Sequence, residues 1–365
     1  MATFSIYKDE MELTDFDSNF EIWSYKDCTR ESPDELKNLR GMIYDYEARL
    51  IHSTSYTDEY TTNELLPPID YEKCRFTLAE EGTLIRLFYN THDSIWMITT
   101  QRKLDAYHSK WGDGGSTFGD VFTEALDRHS MTPLDLVNQL NTGYVYLFFI
   151  RATADTKFVC SEPPQGAETI YFVEKVPVGM SREVLLQNPT EGVDDGLCGI
   201  PSQPALPIRT EEELISFVSG IDCFVAQGVL ASHPETGKRI RILNQTYADY
   251  KEIRGNEPGI LSRYLKIRAD PPGVDNLKKL YPEYETVMDI WEQCVQGLVK
   301  NIHRAYIQRH VQKTFHMMTP AVHNILKKAH LQYTTTKRRI FPETIQDILQ
   351  ANQNIFYTLV KLELE

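Results

Sequence analysis

The hydrophobic period changes part-way along this chain, and that change limits what it can fold into. Before residue 272, apolar residues alternate in short runs such as Thr83-Leu84-Ile85-Arg86-Leu87-Phe88-Tyr89 and Arg239-Ile240-Arg241-Ile242-Leu243. Period two is strand chemistry, because successive side chains leave a strand on opposite faces. From Val274 onwards the apolar residues recur at three and four, the spacing of one helix face. The expectation is an α+β protein, with a mixed body over 1–272 and a helical C-terminal unit over 273–365.

Within the body, Gly41–Tyr46 and Ala48–Ser53 read as strands around a turn. Phe76–Leu78, Thr83–Tyr89, Ser94–Thr100 and Tyr144–Ile150 read as further strands. Residues 1–40 carry a helix start at Ser32-Pro33-Asp34-Glu35 but no strand pattern. Thr117–Leu140 reads as one helix, capped by Thr117 and Asp120. Thr210 and Glu213 form a capping box for a helix over Thr210–Val218. Phe224–Leu230 and Arg239–Leu243 pair as strands across Ser232–Lys238. Ser161–Gly166 and Asn188–Pro207, rich in Gly and Pro, read as loops. In the C-terminal unit, Val274–Phe315 reads as one long or broken helix pair, and Pro320–His330 and Pro342–Leu362 are the further expected helices.

Several function classes drop out early. No apolar run approaches the roughly 18 residues of a membrane span, so no membrane role is expected. The first ten residues carry no secretory pattern. The six cysteines are scattered without a C-x-x-C pair, which argues against a structural zinc site and for a reducing compartment. No H-E-x-x-H spacing occurs, so no metal site is predicted. Gly112-Asp113-Gly114-Gly115-Ser116 lacks a P-loop lysine and reads as a loop.

Charge is unevenly placed. The formal net charge is −14, yet Gln293–Pro342 contains no Asp or Glu. That stretch holds nine of the 38 Lys and Arg residues and five of the ten histidines. Its cations Arg304, Arg309, Lys313, Lys327, Lys328, Lys337, Arg338 and Arg339 are the candidate phosphate contacts, joined by Lys300. Arg309 and Lys313, four apart, are expected to align on one helix face, and Lys337–Arg339 to lie in a loop before Pro342. Tyr306, Phe315 and Tyr333 would suit base stacking or a helical core. A basic segment docked on the acidic body is the competing use.

The ordered segments Arg40-Gly41-Met42-Ile43-Tyr44, Leu78–Arg86, Trp96–Ala106, Tyr146–Ile150, Phe224–Val229 and Arg239–Tyr247 carry a resemblance. Over roughly 38–285 the chain resembles the phage-type RNA ligases of the ligase and mRNA-capping nucleotidyltransferase superfamily, including related proteins of large DNA viruses. The resemblance implies a two-sheet antiparallel nucleotidyltransferase body. It implies a helical unit that engages RNA, although no motif matches there. In that family a lysine in a K-x-D-G turn attacks the α-phosphate of ATP. An Arg and a Glu hold the ribose, a Glu-Gly strand supports the metal, and a K-x-K strand binds phosphates with Mg²⁺.

Laid onto this chain, the lysine position is Ala79, the motif's Asp is Glu81, and Gly82 is kept. The ribose Glu falls on Phe149 and the metal-side Glu on Gln227, followed by Gly228. The phosphate lysines fall on Arg241 and Leu243, and the motif Arg on Gln101 or Arg102. Arg40, Arg86, Arg102, Lys238 and Arg241 remain as candidate ligand-binding residues. A methyl group cannot act as a nucleophile, and Lys73 is the nearest substitute.

The expectation is a catalytically degenerate RNA-ligase-like protein without a cofactor, binding nucleic acid, RNA first, or a nucleotide-like ligand. It would work in the cytoplasm of a host or in a virion. One alternative is a structural or assembly protein with a protein partner. Another is an ATP- and Mg-dependent ligase whose lysine was engineered to Ala79.

Overall fold

The computed structural model describes residues 6–47, 49–110, 115–152, 159–160, 166–180, 196–314 and 317–364. The chain divides into two compact units, Met1–Lys251 and Glu252–Glu365.

The first unit holds three four-stranded sheets. β1 (Met11–Phe16), β2 (Phe20–Tyr25), β3 (Arg40–Asp45) and β4 (Leu50–Thr54) form an antiparallel meander. A short helix α1 (Asp34–Lys37) lies between β2 and β3, at the helix start the sequence marks. β1 and β2 are the strands that sequence reasoning missed in residues 1–40. A register shift between Leu13 and Asp15 breaks the alternation in β1.

Next come β5 (Asp58–Thr61), β6 (Arg75–Ala79), β7 (Gly82–Asn90) and β8 (Ile95–Thr99). The span expected as one helix is two, α2 (Phe118–Asp127) and α3 (Pro133–Val137). Ser130 between them takes a left-handed φ of 55°, and Pro133 starts a new helix under its own Thr132 cap. The Gly112–Gly114 part of the expected glycine loop and residues 161–165 lie outside the described residues.

β9 (Tyr144–Arg151) and β10 (Ile170–Pro177) complete a second sheet of order β10-β9-β7-β8. Both of its faces are covered. Phe88, Val145 and Leu147 pack with Phe20, Ile22 and Ile43 of the first sheet. Ile85, Phe148 and Ile150 pack with Phe118, Phe122 and Leu126 of α2. That double burial is why Tyr144–Ile150 reads as a continuous apolar run.

After a two-stranded ribbon of β11 (Gly196–Leu197) and β12 (Ile200–Pro201) comes helix α4 (Glu211–Gly220). Thr210 caps α4 by accepting from the Glu213 amide at 3.2 Å. The Glu213 carboxylate reaches the Arg209 amide instead of that of Thr210. β13 (Gly228–Ser232) and β14 (Arg239–Leu243) form a third sheet of order β5-β14-β13-β6. β5 runs parallel to β14, and the other pairs are antiparallel. β13 starts later than expected: Phe224–Gln227 form a turn anchored on Asp222.

Helices begin earlier than the sequence suggests, with α5 (Gln245–Arg254) and α6 (Ile260–Ile267) ahead of Pro272. α7 (Pro271–Leu280) and α8 (Glu285–Tyr306) follow, and a π-helical turn (Ile307–Val311) ends α8. α9 (Pro320–Thr336), α10 (Pro342–Gln350) and α11 (Gln353–Leu364) complete the chain. The segment expected as one helix from Pro342 is thus two. The second unit has its own core, built on Leu265, Leu277, Leu298, Ile325, Leu349 and Phe356. The protein is therefore α+β, with antiparallel sheets and a helical C-terminal region.

Candidate functional site

β6 ends at Ala79, and β13 aligns Gly228 with Ala79 on one side and with Leu243 on the other. The lysine position and the second phosphate-lysine position thus share one row of the third sheet. Gly228 is required there: a Cβ would lie 1.9 Å from the Ile242 carbonyl oxygen. Gln227 donates its amide to the Ala79 carbonyl (2.8 Å) and its Nε2 to the Glu80 carbonyl (3.0 Å). Phe149 comes to the same corner, since a Cβ on Gly82 would sit 2.5 Å from its Cζ. Ala79, Glu81, Phe149, Gln227 and Leu243 are therefore brought together around the turn between β6 and β7.

What the corner holds is packing and internal polar contact. The buried Glu81 carboxylate accepts from the Val159 amide (2.9 and 3.0 Å), the Cys160 amide (3.0 Å) and the Tyr247 hydroxyl (2.7 Å). Burial and the Glu81 charge push the Tyr247 hydroxyl and the Cys160 thiol well above their ordinary pKa values. Leu243 packs with Val159, Cys160, Cys223 and Tyr247. Glu80 pairs with Arg151 (3.0 Å) and accepts from Gln203 Nε2 (3.1 Å). Burial raises its pKa, only partly offset by Arg151. The position that the resemblance assigns to the metal-side Glu offers a neutral amide, and the nearby carboxylates are engaged, Glu81 by two backbone amides and Tyr247, and Glu80 by Arg151, so these residues do not fit Mg²⁺. No group of three or more His, Cys, Asp or Glu able to hold a metal occurs among the described residues. Lys73 is half exposed in an ion pair with Glu235 (3.0 Å), away from the row of Ala79.

The candidate cations fall into separate places. Arg86 is fully buried and donates to the carbonyls of Gly41 and of Thr100 (2.5 Å), tying β3 to the end of β8. Burial, with the charge of Arg40 nearby, lowers its pKa to about 9. Gln101 backs onto Gly41, whose φ of +57° and 2.6 Å clearance for a Cβ exclude a side chain. Arg40, Arg86 and Gln101 are thus neighbours. Arg102 lies apart on the surface, paired with Glu12 at 2.6 Å. Lys238 is exposed on the β13–β14 hairpin. Arg241 is paired with Glu59 (2.8 Å), whose other oxygen takes Lys251 (2.6 Å). Sequence reasoning missed Glu59, Lys251, Glu80, Arg151 and Tyr247. The motif carrying Arg241 could not reveal Glu59, which arrives on the four-residue parallel strand β5.

In the second unit, Arg304, Lys313, Lys327, Lys328, Lys337, Arg338 and Arg339 are exposed, and Arg309 is partly so. Lys337 caps α9 with a φ of 56°, so Lys337–Arg339 do form the link to α10. Arg309 and Lys313 do not share a helix face: Arg309 lies in the π-helical turn and Lys313 has a φ of 59°. Lys328 is bonded to Asn352, and Arg339 stacks over Phe341 at 5.4 Å. Tyr306 is core, Tyr333 is exposed, and Phe315 lies outside the described residues.

No family model matches this chain. It is similar to the immediate-early protein ICP-46 homologues of invertebrate iridescent viruses. Identity is 30% with that of virus 3, over 76% of this chain, and 28% with that of virus 6, over 87%. The chain spans 62% of the length of the first and 72% of the second. Its structural neighbours are ATP-dependent RNA and DNA ligases. One is an archaeal ATP-dependent RNA ligase, at 12% identity and a TM-score of 0.42, covering 78% of this chain and 70% of the other. No described helix is long and apolar enough to cross a membrane.

Proposed function

We propose that this protein is a ligase-like, non-adenylylating viral protein that binds nucleic acid, RNA foremost, through its helical unit in the host cytoplasm. The observation that carries the reading is Ala79, a buried methyl at the end of β6 where the resemblance requires a lysine amine. Its surroundings agree. Leu243 is apolar core, Gln227 is bonded to backbone, and Arg241 is held by Glu59, which it shares with Lys251. No ATP chemistry is then available to the corner, and no ATP or Mg²⁺ is required. RNA contact falls to Arg304, Arg309, Lys313, Lys327, Lys328, Lys337, Arg338 and Arg339, a backbone-tracking set with little sequence preference.

Incubation with α-labelled ATP and Mg²⁺ tests the first half of this reading. The expected result is no covalent adduct from the protein or from Ala79→Lys, because Phe149 and Leu243 leave ribose and phosphates unheld. An adduct on the protein would overturn the reading. Full ligation by Ala79→Lys alone would favour a ligase with an altered lysine. Salt-dependent binding of an RNA oligonucleotide tests the second half. Its absence at low salt would favour the assembly-protein reading.

A further inference from the structure

Two imidazoles in the acid-free stretch form an unusual pair. His310, in the π-helical turn, and His330, on α9, stack with ring centroids 4.0 Å apart and planes 15° from parallel. Tyr306 lies tilted beside the stack, 4.9 Å from His310 and 6.4 Å from His330, and Tyr333 lies 6.0 Å from His330. The four rings form a cluster joining the end of α8 to α9. His330 Nδ1 is buried with no hydrogen-bond partner among the described residues. Neighbouring charge is positive: Arg309 and Lys313 adjoin His310 in sequence, and His323 lies one helix segment before His330. The acids on the helices packed against α9 are Glu285, Asp289 and Glu292 on α8, Glu343 and Asp347 on α10, and Glu363 on α11, and α8 also carries Lys300, His303 and Arg304. None of these acids pairs with either ring among the described residues.

We propose that the His310–His330 stack is a proton-dependent contact for a phosphodiester backbone, taking up one proton when a phosphate is seated beside it. The proposal rests on the nucleic-acid reading above and deepens it. Without ligand, a proton on His310 meets burial, the His330 ring and the cations of Arg309 and Lys313. Those influences hold His310 below its ordinary pKa. A phosphate seated against Arg309 and Lys313 supplies the missing negative charge. Protonation then gains a charge-assisted contact, and a cation held between aromatic faces is a favourable arrangement. Two protons would place two cations 4.0 Å apart, so the stack takes one.

Linkage fixes the signature: uptake of one proton tightens binding by at most about tenfold per pH unit. The experiment measures affinity of the full chain for a fluorescent 20-nucleotide poly(U) RNA from pH 5.5 to 8 at constant ionic strength. The protein is compared with His310→Gln and with His330→Phe, which keeps a stacked ring without a proton site. The expected result is tightening on acidification in the protein and a shallower profile in both variants. Circular dichroism identifies a variant that has unfolded, and the folded one then decides. Equal pH slopes in protein and folded variant would overturn the proposal while leaving RNA binding intact. No binding at any pH would overturn the nucleic-acid reading and this proposal with it. Imidazole NMR titration with and without the RNA gives an independent outcome: a raised pKa in the complex supports the proposal, and an unchanged one overturns it.

Discussion

Arg241 and Arg338 carry the same guanidinium and are used differently. Arg241 lies on a sheet strand with Glu59 at 2.8 Å, so its charge is spent inside the first unit. Arg338 lies in an exposed link within a stretch lacking any acid, and forms no ion pair among the described residues. The same contrast holds more widely. At the Ala79 corner Arg151 faces Glu80, and at the other end of β14 Arg239 faces Glu174. In the second unit, Arg268 and Lys278 face Glu292 and Asp289, ahead of the acid-free stretch that holds Arg338. Internal pairing fixes geometry, whereas a cation such as Arg338, in no ion pair among the described residues, keeps its charge for a partner.

The largest test of the comparison is Glu81. If the Ala79 corner serves structure, removing its anchoring carboxylate should damage the fold. Glu81→Ala strips partners from two buried amides and from the Tyr247 hydroxyl. The expected loss is about 3–5 kcal/mol in denaturant unfolding, the range for breaking a buried charged hydrogen-bond group. A loss near zero would mean the corner is free for a ligand.

Next is the basic link. Neutralising Lys337, Arg338 and Arg339 together should weaken RNA binding by about ten- to a hundredfold at low salt and lower the salt slope by about two to three. Stability should stay unchanged, because these residues are exposed. Unchanged affinity and slope in a folded variant would give these cations the same internal role as Arg241.

The two regions were also unequally legible in the sequence. Strands β3, β4, β7, β8 and β9 follow from alternation and apolar runs, and the Lys337–Arg339 link follows from its place before Pro342. The corner's occupants did not follow. Glu59 and Tyr247 reach it from β5 and α5, distant in sequence from Ala79, and no local pattern records a tertiary ion pair. The single helix expected over Thr117–Leu140 failed for a local reason, because apolar spacing continued through Ser130 while φ reversed there. Motif order could place Ala79, Gln227 and Leu243 in one corner. It could not say that backbone and core would already occupy them.

A smaller effect is expected at Glu59. Burial raises its pKa, but Arg241 and Lys251 outweigh burial and hold the carboxyl below its ordinary value. A depressed carboxylate contributes stability that is present above its unfolded pKa, about 4.3, and is lost as pH falls through the folded value. Glu59→Gln should therefore cost about 1–2 kcal/mol at pH 7, and less below pH 4. It should also release two cations. Binding of inorganic pyrophosphate, measured by calorimetry, should appear in Glu59→Gln and not in the unaltered protein. If pyrophosphate binds both equally, the Glu59 pairing does not withhold Arg241 from an anion.

The smallest expected effect belongs to His310 in the free protein. Burial, then His330, Arg309, Lys313 and His323, lower its pKa. For a base, a folded pKa below the unfolded one means that the unfolded chain takes up the proton first. Stability is then complete above about pH 6.5, and it declines as pH falls from there to the folded pKa. Partial burial keeps the loss under about 1 kcal/mol. His310→Phe preserves the stack on His330 and removes the proton site. Between pH 7.5 and 5, the unaltered protein should lose more denaturant stability than His310→Phe, whose acid loss reflects the remaining groups alone. Equal losses would mean that His310 protonates without cost. The ring cluster would then be as open to solvent charge as the Lys337–Arg339 link, and the contrast between spent and available charge would have to be drawn inside the second unit on other residues.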